Sequence, residues 1–297
     1  MNRKYKFNNK MLKTKTFFLQ FLISKNILLI KIYKNLMHYF FNKSLVIYNL
    51  LYKVKPNEYL FLNNNNRYIL STYKKFKYKY DLSQVACNWN FFGINLKYKV
   101  YDSIHREIKN CHTIFDIGAN VGFFSFECLS INSKLIIHAF EPNFKNYIFF
   151  MKNIKLNNIQ NVKLNNFGFY SSNKYLYETN ENITNSGTIY YSEKKKMKIH
   201  NKKFITGDNY ILRNNISKVD CIKIDVEGAE YQILLGFKKL LKANNVILHL
   251  EVDNFNLKKF KSSYSKLRNF LLECNYKKFN KINFKYNKNH YDLVCRK

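Results

Sequence analysis

The chain has 297 residues, 46% of them hydrophobic, and a formal charge of +32 at pH 7. This composition excludes a globally disordered protein, because enough apolar side chains are present to form a packed core. The six cysteines are scattered without a Cys-x-x-Cys pair, which argues against a zinc site or a dense disulfide framework and favours a reducing, cytoplasmic location.

The positive charge is compatible with a nucleic-acid partner, since Lys and Arg neutralise phosphates. The lysines are nevertheless spread along the whole chain, and Asn, Ile, Tyr and Phe are abundant with them. All of these residues have A/T-rich codons. We therefore attribute most of the charge to genome composition and keep nucleic-acid binding as the less favoured alternative.

Residues 1–80 are predicted to form a basic extension of helices and connectors. Its apolar runs, at 16–23, 27–32 and 36–41, are separated by lysines. None reaches the roughly 20 apolar residues that a membrane-spanning helix needs. Two interpretations stay open for residues 1–50: a helix packed on the main domain, or a basic amphipathic helix that contacts a membrane surface peripherally.

Residues 81–297 alternate short apolar runs with helical stretches, which predicts an α/β domain with a doubly wound, mostly parallel sheet. The predicted strands are 112–117, 134–140, 161–170, 219–224 and 246–252, with a terminal antiparallel pair at 276–284 and 291–295. Helices are predicted to start near 121 and 143 and to span 229–241 and 257–274. Residues 171–210 are predicted to form an inserted hairpin around Asn185-Ser186-Gly187.

A glycine-containing turn, Asp116-Ile-Gly118-Ala119-Asn120-Val-Gly122, lies between the first of these strands and a helix. Ligands bind at this position in doubly wound sheets. Glycine allows positive φ and close approach of the backbone, and Asn tolerates the left-handed region. The following helix N-terminus favours a carboxylate. An ordinary tight turn would show the same pattern, so the turn alone is a weak signal.

The next strand ends at Glu141-Pro142, and a carboxylate there can accept hydrogen bonds from both hydroxyls of a ribose. A dinucleotide site would contain Gly-x-Gly-x-x-Gly to hold a pyrophosphate. Here the glycines are Gly118 and Gly122, with three residues between them. S-adenosylmethionine has no pyrophosphate, so this spacing favours it over NAD.

The motifs together resemble the FkbM family of methyltransferases. They are 116–122, Ala-Phe-Glu-Pro at 139–142, the Asn-containing stretch 153–162, and Lys-Ile-Asp-Val-Glu-Gly-Ala-Glu at 223–230. The likeness covers about residues 100–255. It implies a Rossmann-like methyltransferase fold, S-adenosylmethionine as the methyl donor, and a hydroxyl acceptor on a sugar, a glycan or another metabolite. Residues 1–80 show no feature of the family.

Two carboxylates are the candidate catalytic residues, Asp225 at the end of the fourth strand and Glu251 at the end of the fifth. Either could position the acceptor or take its proton. Glu227 and Glu230 begin a helix, where acidic residues often only complement the helix dipole. Asp225 and Glu251 could also share a metal ion, but the spacing does not demonstrate one and no metal site is predicted.

Histidines are the weaker candidates. His138 and His249 lie in buried strands and are predicted to be satisfied core residues, whereas His200, in the inserted hairpin, could reach an acceptor. The function predicted is O-methylation of a sugar, glycan or metabolite hydroxyl. The alternatives are an RNA or DNA methyltransferase, disfavoured because no Asn/Asp-Pro-Pro-Tyr/Phe string occurs, and a non-catalytic cofactor-binding protein.

Overall fold

A computed structural model describes residues 20, 23–43, 65–92, 105–179, 190–192, 201–284 and 287–297. The chain divides into two compact units, one of residues 1–73, 77–99 and 184–187 and the other of residues 74–76, 100–183 and 188–297. The division predicted between residues 80 and 81 stays a prediction. Within the described residues no helix is long and apolar enough to cross a membrane.

The first unit contains helix α1 (Ile27–Lys43), strands β1 (Tyr68–Tyr73) and β2 (Phe76–Asp81), and helix α2 (Val85–Phe91). The two strands form a two-stranded sheet in place of the helices and connectors predicted there. The sequence carries the reason: in β2, aromatic residues and lysines alternate with the period of two that suits a strand. Arg67 forms an ion pair with the buried Asp81, 2.7 Å away, at the end of this hairpin.

The second unit contains the elements of the predicted α/β domain. In chain order they are α3 (His105–Asn110), β3 (Thr113–Ile117), α4 (Phe123–Ile131), β4 (Ile136–Phe140), α5 (Phe144–Leu156), β5 (Val162–Asn165), β6 (Gly168–Phe169), β7 (Lys174–Thr179), β8 (Tyr190–Ser192), β9 (Asn201–Ile205), α6 (Gly207–Arg213), β10 (Cys221–Ile224), α7 (Glu230–Gly236), α8 (Lys238–Ala243), β11 (Ile247–Asp253), α9 (Asn254–Lys259), α10 (Tyr264–Glu273), β12 (Lys278–Phe284) and β13 (Asn287–Arg296).

The central sheet has seven strands in the order β12-β13-β11-β10-β3-β4-β5. Strands β11, β10, β3, β4 and β5 are parallel, and β13 runs antiparallel to β11 and β12. The order reverses on either side of β3, which places the carboxyl ends of β3 and β10 at a topological switch point, where ligands bind. This is the predicted Rossmann-like methyltransferase fold with its terminal antiparallel pair.

Side-chain alternation gives the two faces of this sheet different characters. Phe115 and its neighbours face an aromatic cluster with Tyr210 and Phe237. The opposite face carries Asp116 and Lys223 in register, and helix α4 packs against it. One face is thus an apolar core and the other holds buried charges near the switch point.

Several predicted elements are interrupted. The third predicted strand separates into β5 and β6, and β6 belongs to a second sheet of order β6-β9-β7-β8. The predicted helix 229–241 breaks at Phe237, which ends α7 and precedes α8. The helix predicted at 257–274 also breaks, because Lys261 has a φ of 53° and the Ser263 side chain caps α10. Both Asn185-Ser186-Gly187 and His200 lie outside the described residues.

Candidate active site

The turn after β3 has the conformation that its glycines and asparagine predict. Gly118, Asn120 and Gly122 have φ values of 74°, 51° and 95°. The amides of Gly118 and Ala119 both donate to the carbonyl of Phe140, at 3.0 Å, which fixes the turn against the end of β4. The turn therefore leads directly into the N-terminus of α4 with its backbone close to the strand ends.

Glycine is also required sterically at both ends of the turn. A Cβ atom on Gly118 would lie 1.9 Å from the carbonyl oxygen of Asp225, and one on Gly122 would lie 2.3 Å from the ring of Phe150. The first contact shows that the turn packs directly on the end of β10. The predicted cofactor turn and the predicted catalytic carboxylate are thus adjacent.

Glu141 is held by main-chain donors. Its Oε2 accepts from the amide of Asn120 and its Oε1 from the amide of Asn143, both at 2.8 Å. Burial raises the pKa of Glu141 to about 7, although these two hydrogen bonds favour the ionised form. A carboxylate has about four lone-pair sites. Two of them remain for hydroxyl donors, which fits the ribose of S-adenosylmethionine.

The remaining predicted cofactor residues surround this point. The Asp116 side chain is fully buried and accepts from the hydroxyl of Ser125, at 2.6 Å, so it links β3 to α4 beneath the turn. Ala119 is buried, whereas Pro142 is half-buried and accepts at its carbonyl from Asn166. The roles of Asp116, Ala119 and Pro142 toward the cofactor stay predictions.

Asp225 and Glu251 lie at the carboxyl ends of adjacent parallel strands, as predicted. Burial opposes ionisation of Asp225, but the ammonium of Lys223, 3.2 Å away, and a hydrogen bond with Glu251 bring its pKa below the ordinary value. Burial and the charge of Asp225 raise the pKa of Glu251 well above its usual range. The two carboxyl groups therefore differ in proton affinity, and a proton is held more tightly by Glu251 than by Asp225.

The neighbouring acidic residues have structural partners. Glu230 accepts from the amides of Gly228, at 3.0 Å, and Val226, at 3.4 Å, and so closes the turn before α7. Glu227, with a φ of 58°, accepts from the side chain of Asn256. Burial raises the pKa of Glu230 to about 7 and that of Glu227 to about 8. These glutamates shape the loop that follows Asp225.

Sequence reasoning missed two groups that contact the paired carboxylates. Lys223 is buried and begins the 223–230 string that resembles the FkbM family, yet no role was assigned to it from the sequence. His290 on β13 approaches Glu251 with its Nε2 2.7 Å from Oε1. The terminal antiparallel pair was predicted, but a strand register that brings His290 beside β11 has no local sequence signal.

The buried histidines differ from each other. His138 lies 2.8 Å from the hydroxyl of Tyr210, and burial lowers its pKa to about 4, so it is the satisfied core residue that was predicted. His249 is buried without a hydrogen bond at either ring nitrogen, and its Nε2 lies 3.5 Å from Asp292. The prediction of a satisfied His249 is therefore wrong. Its polar imidazole ring lies beside the buried charged residues of the sheet.

All six cysteines are free and buried. Among the described residues, no group of three or more His, Cys, Asp and Glu side chains is arranged to hold a metal ion. The site thus consists of a turn and a carboxylate suited to a nucleoside with a charged amino-acid tail, next to a pair of carboxyl groups that differ in proton affinity.

Comparison with known proteins agrees with this geometry. Residues 116–278, more than half of the chain, match the family model of the Methyltransferase FkbM domain. Hexuronic acid methyltransferase AglP of Haloferax volcanii is 25% identical over 178 residues, which are 59% of this chain and 72% of AglP.

Solved structures with a similar fold include an FkbM methyltransferase from Methylobacillus flagellatus, with a TM-score of 0.46 and 12% identity over 70% of this chain and 52% of that one. TYW2 of M. jannaschii in complex with AdoMet has a TM-score of 0.41 and 13% identity, over 77% and 84% of the two chains. The family match covers the cofactor turn, Glu141 and the 223–230 string. The chain belongs to the FkbM family of methyltransferases, with S-adenosylmethionine as its cofactor.

Proposed function

We propose that the protein transfers the methyl group of S-adenosylmethionine to an oxygen of a sugar or glycan-linked acceptor, with Asp225 and Glu251 facing the acceptor. The observation that carries this proposal is the pair of carboxyl groups beside the cofactor turn. The pKa of Asp225 lies below its ordinary value and that of Glu251 well above it, and the Asp225 carbonyl packs on Gly118. A charged carboxylate is thereby kept within reach of the methyl donor.

The two carboxyl groups have different parts in the reaction. Bound S-adenosylmethionine would supply an electrophilic methyl group to the acceptor oxygen, and Asp225 would accept the proton of the acceptor hydroxyl. Since a carboxylate is a weak base for an alcohol, the proton moves late, when the oxygen has already become acidic. The hydrogen bond between Glu251 and Asp225 favours the charged form of Asp225 beside the acceptor.

Cofactor binding is assigned to the other end of the site. Glu141 accepts the ribose hydroxyls with its two remaining lone pairs. The backbone of Gly118, Asn120 and Gly122 approaches the ligand, and the N-terminus of α4 favours its carboxylate. Ala119 and Pro142 border the site, and Asp116 supports it from below through Ser125.

A sugar acceptor is supported by AglP, which is named as a hexuronic acid methyltransferase. A hexuronic acid offers both hydroxyl and carboxylate oxygens. Only a hydroxyl requires a proton acceptor, and the ionised Asp225 matches that requirement. We therefore favour a hydroxyl of a sugar or sugar acid, and a methyl ether as the product.

The test is an acceptor screen with radiolabelled S-adenosylmethionine against hexoses, hexuronic acids, sugar-lipids and RNA. Labelled sugar that survives mild alkali is the expected result, because ethers resist the hydrolysis that removes methyl esters. An alkali-labile product would show that the methyl group was transferred to a carboxylate oxygen. Transfer only to RNA would overturn the sugar assignment. Donor binding without transfer to any of these acceptors would contradict the proposal as well.

A second proposal concerns location: residues 1–50 contact an anionic membrane surface peripherally. Helix α1 exposes Leu28, Ile32 and Leu36, at 65%, 46% and 40%, one turn apart along one face. Residues 1–57 contain no Asp or Glu, while Lys recurs through them. Exposed apolar side chains together with unopposed positive charge are typical of interfacial helices.

Sedimentation with lipid vesicles tests this location. We expect binding to vesicles with anionic lipid and little binding to neutral ones. The variant Leu28→Glu should reduce binding, whereas Leu212→Glu should not, because Leu212 is similarly exposed, at 75%, on a helix of the other unit. Equal binding of both variants and the parent protein would show that α1 does not contact the lipid.

A further inference from the structure

A buried ammonium group lies between the two halves of the site. The side chain of Lys223 is 8% exposed, and its Nζ lies 3.0 Å from the carbonyl oxygen of Gly118, 3.2 Å from Oδ2 of Asp225 and 3.5 Å from Oδ1 of Asp116. These oxygens belong to the cofactor turn, to the candidate catalytic carboxylate and to the strand beneath the turn. One side chain therefore contacts all three parts of the site.

Burying the ammonium group of Lys223 at this position carries a desolvation cost. Removing an ammonium from water is costly unless oppositely charged or hydrogen-bonding groups surround it. Asp116 is fully buried, and Oδ1, the atom nearest Lys223, has no hydrogen-bond partner among the described residues. The two charges thus depend on each other, and the rigid strands β3 and β10 hold them in register. A methionine would fill the same space without this cost, so packing alone does not account for a lysine here.

We propose that Lys223 is a positioning residue that holds the Gly118 carbonyl of the cofactor turn and the Asp225 carboxylate in a fixed relation. The methyl donor and the acceptor-facing group are then aligned by one side chain. Alignment of this kind is a large part of catalysis in a two-substrate transfer, because the reacting atoms must approach in line. The inference rests on the proposed function in one respect, the assignment of Asp225 to the acceptor.

The charge of Lys223 also acts on Asp225 directly. The groups around Asp225 are Lys223 on β10, Glu251 and His249 on β11, Glu227 in the following loop and Glu230 at the start of α7. Lys223 and His249 favour the ionised carboxylate, and the glutamates disfavour it when they are charged. Without Lys223, Asp225 faces mostly acidic neighbours, and its proton affinity rises.

The experiment compares Lys223→Met with Lys218→Met in the full-length protein. Lys218 forms an ion pair with Asp220, 2.7 Å away, just before β10 and therefore at the opposite end of that strand from Asp225. Lys218→Met thus also removes a lysine beside an aspartate, but far from the turn. Two readouts need no acceptor: the affinity for S-adenosylhomocysteine by calorimetry, and the titration of Asp225 by NMR of carboxyl-labelled aspartate, assigned with Asp225→Asn. If the acceptor assignment fails in the screen, both readouts still test the contact itself.

For Lys223→Met we expect roughly tenfold weaker binding or more, the scale of a lost hydrogen bond to a charged group. We also expect Asp225 to titrate about 1–2 pH units higher. Lys218→Met should leave both values unchanged. If Lys223→Met fails to fold because Asp116 is left unpaired, Asp116→Asn/Lys223→Met removes both charges and takes its place in the comparison. A folded variant that binds like the parent protein, with an unchanged Asp225 titration, would overturn the proposal.

Discussion

Glu141 and the pair of Asp225 and Glu251 lie at the same edge of one sheet, yet they are held in different ways. Glu141 is fixed by two main-chain amides, those of Asn120 and Asn143. Asp225 and Glu251 instead contact side chains, namely each other, Lys223 and His290. Main-chain donors fix the position of a carboxylate, whereas charged side-chain neighbours also determine how protons divide between two carboxyl groups.

This difference matches the two proposed roles, cofactor binding for Glu141 and methyl transfer for Asp225 and Glu251. A ribose needs two acceptors at constant positions, and backbone amides provide the constancy because the fold determines them. The proposed methyl transfer to a hydroxyl needs a group whose protonation changes during the reaction, and a coupled pair of carboxyl groups is suited to that. The two regions meet at Gly118, whose Cβ position is occupied by the Asp225 carbonyl.

Gly118→Ala should have the largest effect, because it disturbs both regions at once. The added methyl group would lie 1.9 Å from the Asp225 carbonyl oxygen, at a φ of 74° that disfavours side chains. We expect a loss of about 3 kcal/mol or more of folding stability, with loss of cofactor binding and turnover. Thermal unfolding and calorimetry measure these effects. Parent-like stability and binding in this variant would show that the turn and β10 do not pack as closely as described.

Asp225→Asn should separate the two regions. It keeps the shape of the side chain and removes the charge that accepts the proton. We expect turnover on the identified acceptor to fall about 100-fold or more, while affinity for S-adenosylhomocysteine stays near the parent value. Glu273→Gln, on the exposed surface of α10, is the control for loss of a single negative charge. Near-parent turnover of Asp225→Asn would restrict Asp225 to a structural role.

Glu141→Ala should have the converse effect. We expect affinity for S-adenosylhomocysteine to fall by about 1–3 kcal/mol, the range for unpaired hydrogen bonds to a charged group. Because the pKa of Glu141 is raised to about 7, affinity in the parent protein should also weaken as the pH falls below 7 and the carboxylate gains a proton. Calorimetry between pH 5.5 and 8.5 tests both points. A flat pH profile would show that Glu141 stays ionised throughout, and unchanged affinity in Glu141→Ala would remove it from the cofactor site.

The sequence predicted the parts of this comparison that depend on local pattern. The strand ends at Glu141 and Asp225 were predicted from the apolar runs and from the residues that end those runs. The turn was predicted from the spacing of its glycines. The contacts of Lys223 and His290 were not predictable in the same way. They depend on which strands become neighbours, and β13 inserts between β11 and β12. The ends of β5, at Asn165, and of α7, at Gly236, were also missed.

The smallest expected effect concerns Glu230, a buried carboxyl group of the loop after Asp225. Its pKa is raised to about 7 by burial, and its Oε2 has no hydrogen-bond partner. The ordinary value is near 4.5. A glutamate with a raised folded-state pKa contributes stability that is fully present below the unfolded value and is lost as the pH rises through the folded one. From pH 4.5 to 7 the loss is about 3 kcal/mol at most for this group.

Thermal unfolding of the cofactor-free protein at pH 5.5, 7 and 8.5 measures this dependence. The melting temperature should fall across the series, and Glu230→Gln should make the decline shallower, because glutamine does not ionise and keeps an oxygen for the Gly228 amide. Glu273→Gln, at an exposed position, should leave the slope of the parent protein unchanged. If Glu230→Gln and the parent protein decline in parallel, Glu230 is already ionised in the folded state, and the two amides of the loop stabilise its charge as the amides of Asn120 and Asn143 do for Glu141.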